Sequence, residues 1–199
     1  MIAEELTYMS LQRPLLCLFL SLTLGACSAP YPNQNPTGEP FPSLSAEALD
    51  GERWSLPSAW RGAPTIALLG YVQDAQFDID RWLIGLDMTK TKAKVYELPT
   101  IKGLFPRMFS AKIDEGMRKG IPKALWGGVI TVYERGEALQ RLTGNERPRN
   151  ARVLLIDSEG VVRYFNDEGF SVGGLNRLRE ALSALSKPEA PAEPSPVAP

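Results

Sequence analysis

The sequence predicts an α/β domain in which a central mixed sheet is flanked by helices and preceded by a β-hairpin. A continuous apolar run of strand length, TIALLGYV at 65–72, is typical of a buried central strand. Apolar residues at i, i+3, i+4 and i+7 from Ile79 to Leu86 predict an amphipathic helix directly after it. The segment VLLIDSEGVVRYF, 153–165, predicts two strands joined by a turn. Strands and helices in this order pack as a sheet covered by helices.

The elements around the central strand have their own signals. EALDGERWSL, 47–56, predicts the hairpin, with Asp50-Gly51 supplying its turn. KAKVYELP, 92–99, predicts a second strand that ends at the proline. A second amphipathic helix is predicted from the spacing of Phe105, Met108, Phe109, Ile113 and Met117.

The second half of the chain adds strands and a closing helix. GGVITVYE, 127–134, and ARVLLID, 151–157, predict further strands. Leucines from Leu175 to Leu185 predict the last helix. The predicted order is therefore β-β-β-α-β-α-β-β-β-α, in one domain that covers about 41–186.

The helix after the central strand begins among acidic residues. Asp74 is expected to cap it, and Asp78 and Asp80 lie in its early turns, where carboxylates suit the positive end of the helix dipole. The same pair could form half of a metal site. Two carboxylates on one exposed turn are more often solvated, so neither a metal ion nor another cofactor is expected.

The N-terminal residues predict a secretory signal peptide, residues 1–26. Their apolar stretch, 15–26, ends in small residues and is shorter than the ~20 residues of a membrane-spanning helix. Glu4 and Glu5 oppose the positive charge usual at the start of a signal peptide. Translation from Met9 is therefore an alternative start.

The four residues at the end of this stretch, Leu24-Gly25-Ala26-Cys27, resemble the lipobox of bacterial lipoproteins. The resemblance implies that the Cys27 thiol carries diacylglycerol, and that the new N-terminus carries a fatty acid such as palmitate. Several acyl chains hold a protein stably at a membrane where one does not. Ser28, with no Asp after the cysteine, resembles lipoproteins sent to the outer membrane, facing the periplasm. The alternative is a soluble secreted protein cut at the same place.

Lipidation would leave the mature chain without a free thiol. The sequence has two cysteines and no histidine, and Cys17 lies inside the segment predicted to be removed. No disulfide is then possible, and the usual general base is missing. Loss of residues 1–26 also leaves equal numbers of basic and acidic residues, which gives no electrostatic support for nucleic-acid binding.

Proline-rich segments flank the predicted domain. Residues 27–40 are expected to form the lipidated cysteine and an extended tether, which would lift the domain some tens of ångströms off the membrane at ~3 Å per residue. The final KPEAPAEPSPVAP, 187–199, is of low complexity and is expected to be disordered.

The succession of apolar strand, helix, strand, helix, VLLIDSEGVVRYF hairpin and closing helix resembles the thioredoxin-like fold. The first residues of the predicted domain, FPSLSAEALDGERWSLP, are similar to the first residues of proteins in the peroxiredoxin and redoxin branch of this fold. GNERPRNARVLLIDSEGVVRYF, 144–165, ahead of a last helix also resembles the thioredoxin-like assembly factors of the mitochondrial ATP synthase. That resemblance implies a chaperone-like role by analogy of fold.

The sequence departs from redox-active members of that fold where their chemistry takes place. The resemblance implies that a CxxC pair would lie at the start of the first helix, where the helix N-terminus stabilises a thiolate. Ala75 and Asp78 stand at about those positions. Asn150-Ala151-Arg152 stands where the active-site proline is expected. Copper delivery would need two cysteines and a histidine, which are missing from the predicted domain 41–186.

Other conspicuous residues have simpler explanations. Arg118, Lys119 and Lys123 are interpreted as a solvated helix end, where cations suit the dipole. Trp54, Trp60, Trp82 and Trp126 are interpreted as core residues or as residues that pack the tether.

The favoured function is a membrane-anchored, non-redox thioredoxin-like lipoprotein that binds an envelope protein and aids assembly. A partner is expected at the edge where strand 65–72 enters its helix, because the carboxyl ends of strands leave backbone groups free there. The segment before VLLID is expected to run beside that edge. The candidate partner-binding residues are Gln73, Asp74, Gln76, Arg147, Arg149 and Asn150.

Two alternatives stay open. One is a redoxin-related enzyme with cysteine-independent activity, which the lack of thiols and histidine disfavours. The other is a carrier of a small ligand. Turnover of a peroxide or a disulfide would identify the first, and a titratable ligand would identify the second.

Overall fold

A computed structural model describes residues 31–101 and 109–186. Seven strands and four α-helices form this part of the chain. The strands are β1 Leu44–Ala48, β2 Arg53–Leu56, β3 Thr65–Gly70, β4 Lys94–Pro99, β5 Ile130–Thr131, β6 Arg152–Ile156 and β7 Val162–Asn166. The α-helices are α1 Gln76–Met88, α2 Ser110–Gly120, α3 Gly136–Thr143 and α4 Val172–Leu185.

The central sheet has the strand order β4-β3-β6-β7. β3 is parallel to β4 and antiparallel to β6, and β6 is antiparallel to β7, so the sheet is mixed as the sequence predicts. Every residue of β3 is buried, which explains its continuous apolar run. In the β6–β7 turn, Asp157 Oδ1 accepts hydrogen bonds from the backbone N–H groups of Glu159 and Val161, both at 2.9 Å.

The second sheet contains the predicted hairpin and has the order β2-β1-β5. β1 and β2 pair antiparallel, and Gly51 in the turn has φ +94°, a conformation that glycine adopts without strain. β5 lies antiparallel to the other edge of β1.

The core lies on both faces of the central sheet. Ile66 and Leu68 of β3 belong to a cluster that α1 and α4 cover, with Trp82 fully buried among them. Ala67 and Leu69 belong to the cluster on the opposite face, which includes Trp60 and residues of β1, β5 and α3. Two of the four tryptophans are therefore central core residues, as expected.

Residues 31–41 belong to the folded unit. The sequence predicts a tether over 27–40, and this prediction was wrong for residues 31–40. The Gly38 N–H donates to the Val162 carbonyl at 2.8 Å, and the Val162 N–H donates to the Glu39 carbonyl at 3.0 Å. Phe41 is buried beside Trp60, with ring centroids 5.3 Å apart. The proline content indicates an extended segment, but no local pattern predicts that strand β7 pairs with it.

The prediction for 127–134 was wrong in extent, and one helix was missed. β5 has only two residues; beyond it, Val132 makes an isolated parallel bridge to Thr100. The chain then enters α3, whose one fully buried aliphatic side chain is Leu139, beside buried Gln140 and Thr143. Such a short helix with polar buried residues lacks the apolar periodicity on which prediction depends.

Several predictions fall outside the described residues. They are the signal peptide 1–26, the lipidation site Cys27, the start of the second predicted helix at Phe105 and Met108, and the tail 187–199. Helix α2 is described from Ser110 onwards and ends at Gly120. Among the described helices, none combines the length and apolar character needed to cross a membrane.

Candidate functional site: a polar edge at the start of helix α1

The fold brings two separate segments to one edge of the central sheet. β3 runs towards this edge and ends at Gly70, after which a 3-10 turn, Gln73–Ala75, leads into α1. Because β6 is antiparallel to β3, the loop 147–151 that precedes β6 lies at the same edge. We call the six predicted residues on these segments the polar edge: Gln73, Asp74, Gln76, Arg147, Arg149 and Asn150.

An ion pair joins the two halves of the polar edge. Arg149 Nε lies 3.4 Å from Asp74 Oδ2, and both side chains are exposed. The prediction that Asp74 caps α1 was wrong. Ala75 occupies the N-cap position, and no side chain accepts a hydrogen bond from the start of the helix. The carboxylate of Asp74 is turned towards the loop of Arg149. An exposed pair of this kind contributes about 0–1 kcal/mol, so it orients the two segments more than it stabilises them.

Gln76 connects the polar edge to two acidic side chains. Its Nε2 donates to Asp80 Oδ1 at 2.9 Å and to Glu97 Oε2 at 3.0 Å. Burial raises the pKa of Glu97, the hydrogen bond from Gln76 lowers it in part, and the nearby Asp80 carboxylate raises it further. The Gln76 amide therefore reduces the repulsion between two neighbouring carboxylates.

Arg152, at the start of β6, holds the loop 147–150 that carries three residues of the polar edge. Arg152 Nη1 donates to the carbonyls of Arg147 at 2.5 Å and Asn150 at 2.9 Å. Asn150 also donates from Nδ2 to the Asp167 carbonyl at 2.8 Å. The Asn150 side chain therefore fixes the loop, while the side chains of Arg147 and Arg149 reach solvent.

Asp78 is buried, which corrects its interpretation as a solvated helix-turn carboxylate. Its side chain accepts the Ala151 N–H at Oδ2 (2.9 Å) and the Phe170 N–H at Oδ1 (2.8 Å). Asp78 is only 6% exposed, and its two donors belong to the loops that precede β6 and α4. Because both oxygens bind backbone donors, Asp78 is not half of a metal site with Asp80. Within the described residues, no three acidic, cysteine or histidine side chains converge on a possible metal position.

The bond between Asp78 and Ala151 links the two positions that depart from the redox pattern. The resemblance places Asp78 at about the second cysteine position, and the segment Asn150-Ala151-Arg152 where the active-site proline is expected. A proline has no N–H and could not make this bond. Ala75, at the first cysteine position, is fully buried. The Asp78 carboxylate therefore has a structural role, because it bonds the backbone of two other segments.

Two exposed apolar side chains flank the polar edge and were not selected from the sequence. Val72 is 43% exposed and Phe77 is 70% exposed. Phe77 lies off the helix face of Ile79 and Leu86, which could have marked it as exposed. Ile84 and Met88 continue the exposed apolar side of α1 away from the edge.

The basic cluster at the end of α2 is partly structural. Arg118 Nε donates to the Leu49 carbonyl at 2.6 Å, and its guanidinium lies 5.7 Å from the ring centroid of Trp126. Lys119 pairs with Glu115 at 2.9 Å. Arg118 is thus a packing residue, and the interpretation as a solvated helix end holds for Lys119 and Lys123.

A cavity of about 340 Å³ lies along β7 and reaches Asp167, whose carbonyl accepts the hydrogen bond from Asn150 of the polar edge. Its wall is almost entirely polar or aromatic, and Asn166, which is buried, has no hydrogen-bond partner for its Oδ1. The lining residues are Asn33, Gln34, Asn35, Tyr164, Phe165, Asn166, Asp167, Glu168 and Arg177.

Known structures share this architecture. BsSco, a member of the Sco family of cytochrome c oxidase assembly proteins, is similar with a TM-score of 0.53 and 11% identity, over 77% of this chain and 98% of that one. A SCO1/SenC family lipoprotein from Bacillus anthracis has a TM-score of 0.53 and 9% identity, over 78% and 100%. A thiol peroxidase from Chromobacterium violaceum has a TM-score of 0.51 and 14% identity, over 78% and 90%.

Comparison of the sequence alone finds no such similarity. No protein-family model matches the chain, and no curated protein sequence matches it. The structural similarity, at these low identities, concerns the arrangement of strands and helices. The described part of the chain has a thioredoxin-like fold.

Proposed function

We propose that this protein is a membrane-anchored, non-redox thioredoxin-like lipoprotein that binds another envelope protein through the polar edge and assists its assembly. The observation that carries the proposal is the pair of bonds that Asp78 accepts from Ala151 and Phe170. They hold the start of α1, the β6 loop and the start of α4 together at the site where redox relatives react. A surface that is already rigid loses less entropy when it binds a partner.

The chemistry of the edge suits a protein partner. The polar edge exposes two cations, Arg147 and Arg149, together with the amide of Gln73 and the carboxylate of Asp74. Phe77 adds an exposed aromatic ring on the first turn of α1. Aromatic and arginine side chains are enriched in protein interfaces, usually within a polar rim. Polar residues on loops that a rigid scaffold positions are a common place for binding function.

The non-redox part of the proposal follows from the cysteines. The sequence has two, Cys17 and Cys27, and neither lies near the start of α1 in sequence. With Ala75 and Asp78 at the junction, a thiol–disulfide reaction has no nucleophile there.

The envelope location is supported by the LGAC pattern at 24–27. A similar structure is described as a SCO1/SenC family lipoprotein, and another as belonging to a family of cytochrome c oxidase assembly proteins. We extend to this chain the anchor and a general role in assembly, without a named partner. The outer membrane is the proposed site because Ser28 follows Cys27.

The docked N-terminal segment shortens the proposed tether. Tyr31 is already part of the folded unit, so only residues 28–30 separate it from Cys27. At about 3.6 Å per residue, the first domain residue would lie within about 15 Å of the lipidated cysteine. We therefore propose a partner that is itself embedded in, or close to, the same membrane.

Crosslinking in intact cells tests the proposal. The double variant Gln76→Ala with Arg149→Glu should reduce the crosslinked complex severalfold, while its melting temperature changes little because both side chains are exposed. The control is Lys119→Ala with Lys123→Glu, which makes the same kind of change at the end of α2. If the control abolishes the complex and the edge variant keeps it, the partner binds the other face.

The cavity along β7 supports one alternative, the binding of a small polar ligand. Its volume suits a small molecule, and its Asn, Asp, Glu and Arg side chains suit polar groups. A ligand that binds the purified protein in a titration, loses affinity for the Arg177→Ala variant and keeps its affinity for the Arg149→Glu variant would favour this alternative.

A further inference from the structure

Arg152 is a buried cation for which the described residues supply no ion pair, although the Asp167 carboxylate acts on it from a greater distance. Its side chain is fully buried at the start of β6, and within the described residues no carboxylate lies at ion-pair distance from it. Burial lowers the pKa of its guanidinium, which reflects the cost of holding the charge away from water. Buried charges in proteins are usually paired, so this arginine requires an explanation.

One edge of the guanidinium is satisfied and the other is not. Nη1 binds the carbonyls of Arg147 and Asn150, and the Tyr71 ring lies with its centroid 5.3 Å from Cζ. Nη2 has a long contact of 3.4 Å to Asn33 Oδ1, and Nε has no hydrogen-bond partner. Nε and Nη2 together form the pair of parallel donors to which a carboxylate binds.

The uncharged amide oxygen of Asn33 lies on the side of Arg152 where a carboxylate would bind Nε and Nη2. Its Oδ1 accepts the Glu146 N–H at 2.9 Å in addition to the contact with Arg152. The backbone of Tyr31 pairs with Asn145, whose N–H donates to the Tyr31 carbonyl at 2.9 Å. A Cβ atom at Gly144 would overlap Asn33 Cα, so the segment lies directly against the glycine.

We propose that the Nε and Nη2 atoms of Arg152 form a binding site for an acidic side chain of a partner protein. Residues 31–35 cover this site in the structure, with Asn33 as an uncharged substitute. The proposal rests on the proposed function, since the same guanidinium supports the loop 147–150 of the polar edge. An acidic segment that displaces residues 31–35 would bind at Arg152 and continue onto Arg147 and Arg149.

The first test supplies the carboxylate within the chain. Asn33→Asp should raise the melting temperature of the full chain by several degrees at pH 7. The gain should shrink as the pH falls below about 3.9, the ordinary pKa of aspartate, and vanish when the paired carboxyl itself is protonated. Asn35→Asp is the matched control, because Asn35 is exposed and its Oδ1 already accepts the Thr37 N–H at 3.0 Å. A change for Asn33→Asp no larger than the control's, or a destabilisation, overturns the proposal.

The second test uses a peptide probe. The full chain with Asn33→Gly, solubilised in detergent, is titrated with acetyl-Tyr-Pro-Asp-Gln-Asn-Pro-amide and with the same peptide carrying Asn in place of Asp. We expect the acidic peptide to bind at least tenfold more tightly and to shift the NMR signal of the Arg152 Nε–H. Equal affinities, or an unchanged Nε–H signal, contradict the proposal. Neither test involves the envelope partner, so its outcome is independent of the crosslinking result.

Discussion

The Asp78 carboxylate accepts a 2.9 Å hydrogen bond from the backbone N–H of Ala151, across 73 positions of sequence. The bond joins the first turn of α1 to the residue before β6. It needs an acceptor at position 78 and a non-proline residue at position 151, which lies in the segment 150–152 where the resemblance leads one to expect a proline. The edge of this thioredoxin-like domain is consequently built as a fixed surface.

Removal of the Asp78 carboxylate should destabilise the domain. In Asp78→Ala, two buried N–H groups lose their acceptor, and each costs about 1–3 kcal/mol, so we expect a loss of about 2–6 kcal/mol. Asp78→Asn keeps one amide oxygen and should cost less. Urea unfolding measures both variants. Asp80→Asn, on the exposed side of the same turn, should stay within about 0.5 kcal/mol. A harmless Asp78→Ala would show that the bonds do not fix the edge.

Glu97 should make stability fall as the pH rises. Its pKa is raised in the folded state, so the folded protein binds more protons than the unfolded chain above the ordinary value of 4.5. This group therefore favours folding below pH 4.5 and loses that effect as the pH rises through the folded pKa. Glu97→Gln should be more stable than wild type at pH 7 and equal to it in acid. A constant difference across pH would contradict the assignment.

The anchor assignment predicts a change of cell fraction. Cys27→Ala should remove the protein from the membrane fraction, because acyl chains on this thiol are the proposed attachment. Cys17→Ala changes the other cysteine within the proposed signal peptide and should leave the protein at the membrane. Fractionation with immunodetection measures both. Normal processing and membrane sedimentation of Cys27→Ala would show that the attachment lies elsewhere.

The purified mature protein should have no disulfide reductase or peroxidase activity. Its melting temperature should be the same with and without dithiothreitol, since no thiol pair is proposed to remain. Metal ions are removed before the assay, because traces of metal consume peroxide. Peroxide consumption by such a sample would favour the alternative of a cysteine-independent enzyme.

The sequence predicted the fold where apolar periodicity was strong. The continuous run of β3 and the spacing from Ile79 to Leu86 correspond to elements that bury one face or both. The helix α3 was missed because its buried residues include Gln140, which accepts a hydrogen bond from Asn145, and Thr143, which bonds the distant Tyr71 hydroxyl.

The polar edge was predicted in position but not in bonding. Topology alone places Asp74 and Arg149 at one edge, and the structure brings them within 3.4 Å. The burial of Asp78 and the covering of Arg152 by residues 31–35 depend on contacts between distant segments. No local pattern indicates such contacts, so an acidic helix start and a proline-rich segment were both interpreted as solvated.

Site-specific photocrosslinking in intact cells tests the central claim, that a protein partner binds the polar edge. A photoreactive amino acid replaces Phe77 beside the edge, or Met88 at the far end of the same helix; these side chains are 70% and 76% exposed. We predict that position 77 crosslinks to an envelope protein, that Arg149→Glu abolishes the product, and that position 88 gives none. Equal crosslinking from both positions, or a product at 77 that survives Arg149→Glu, would contradict the claim.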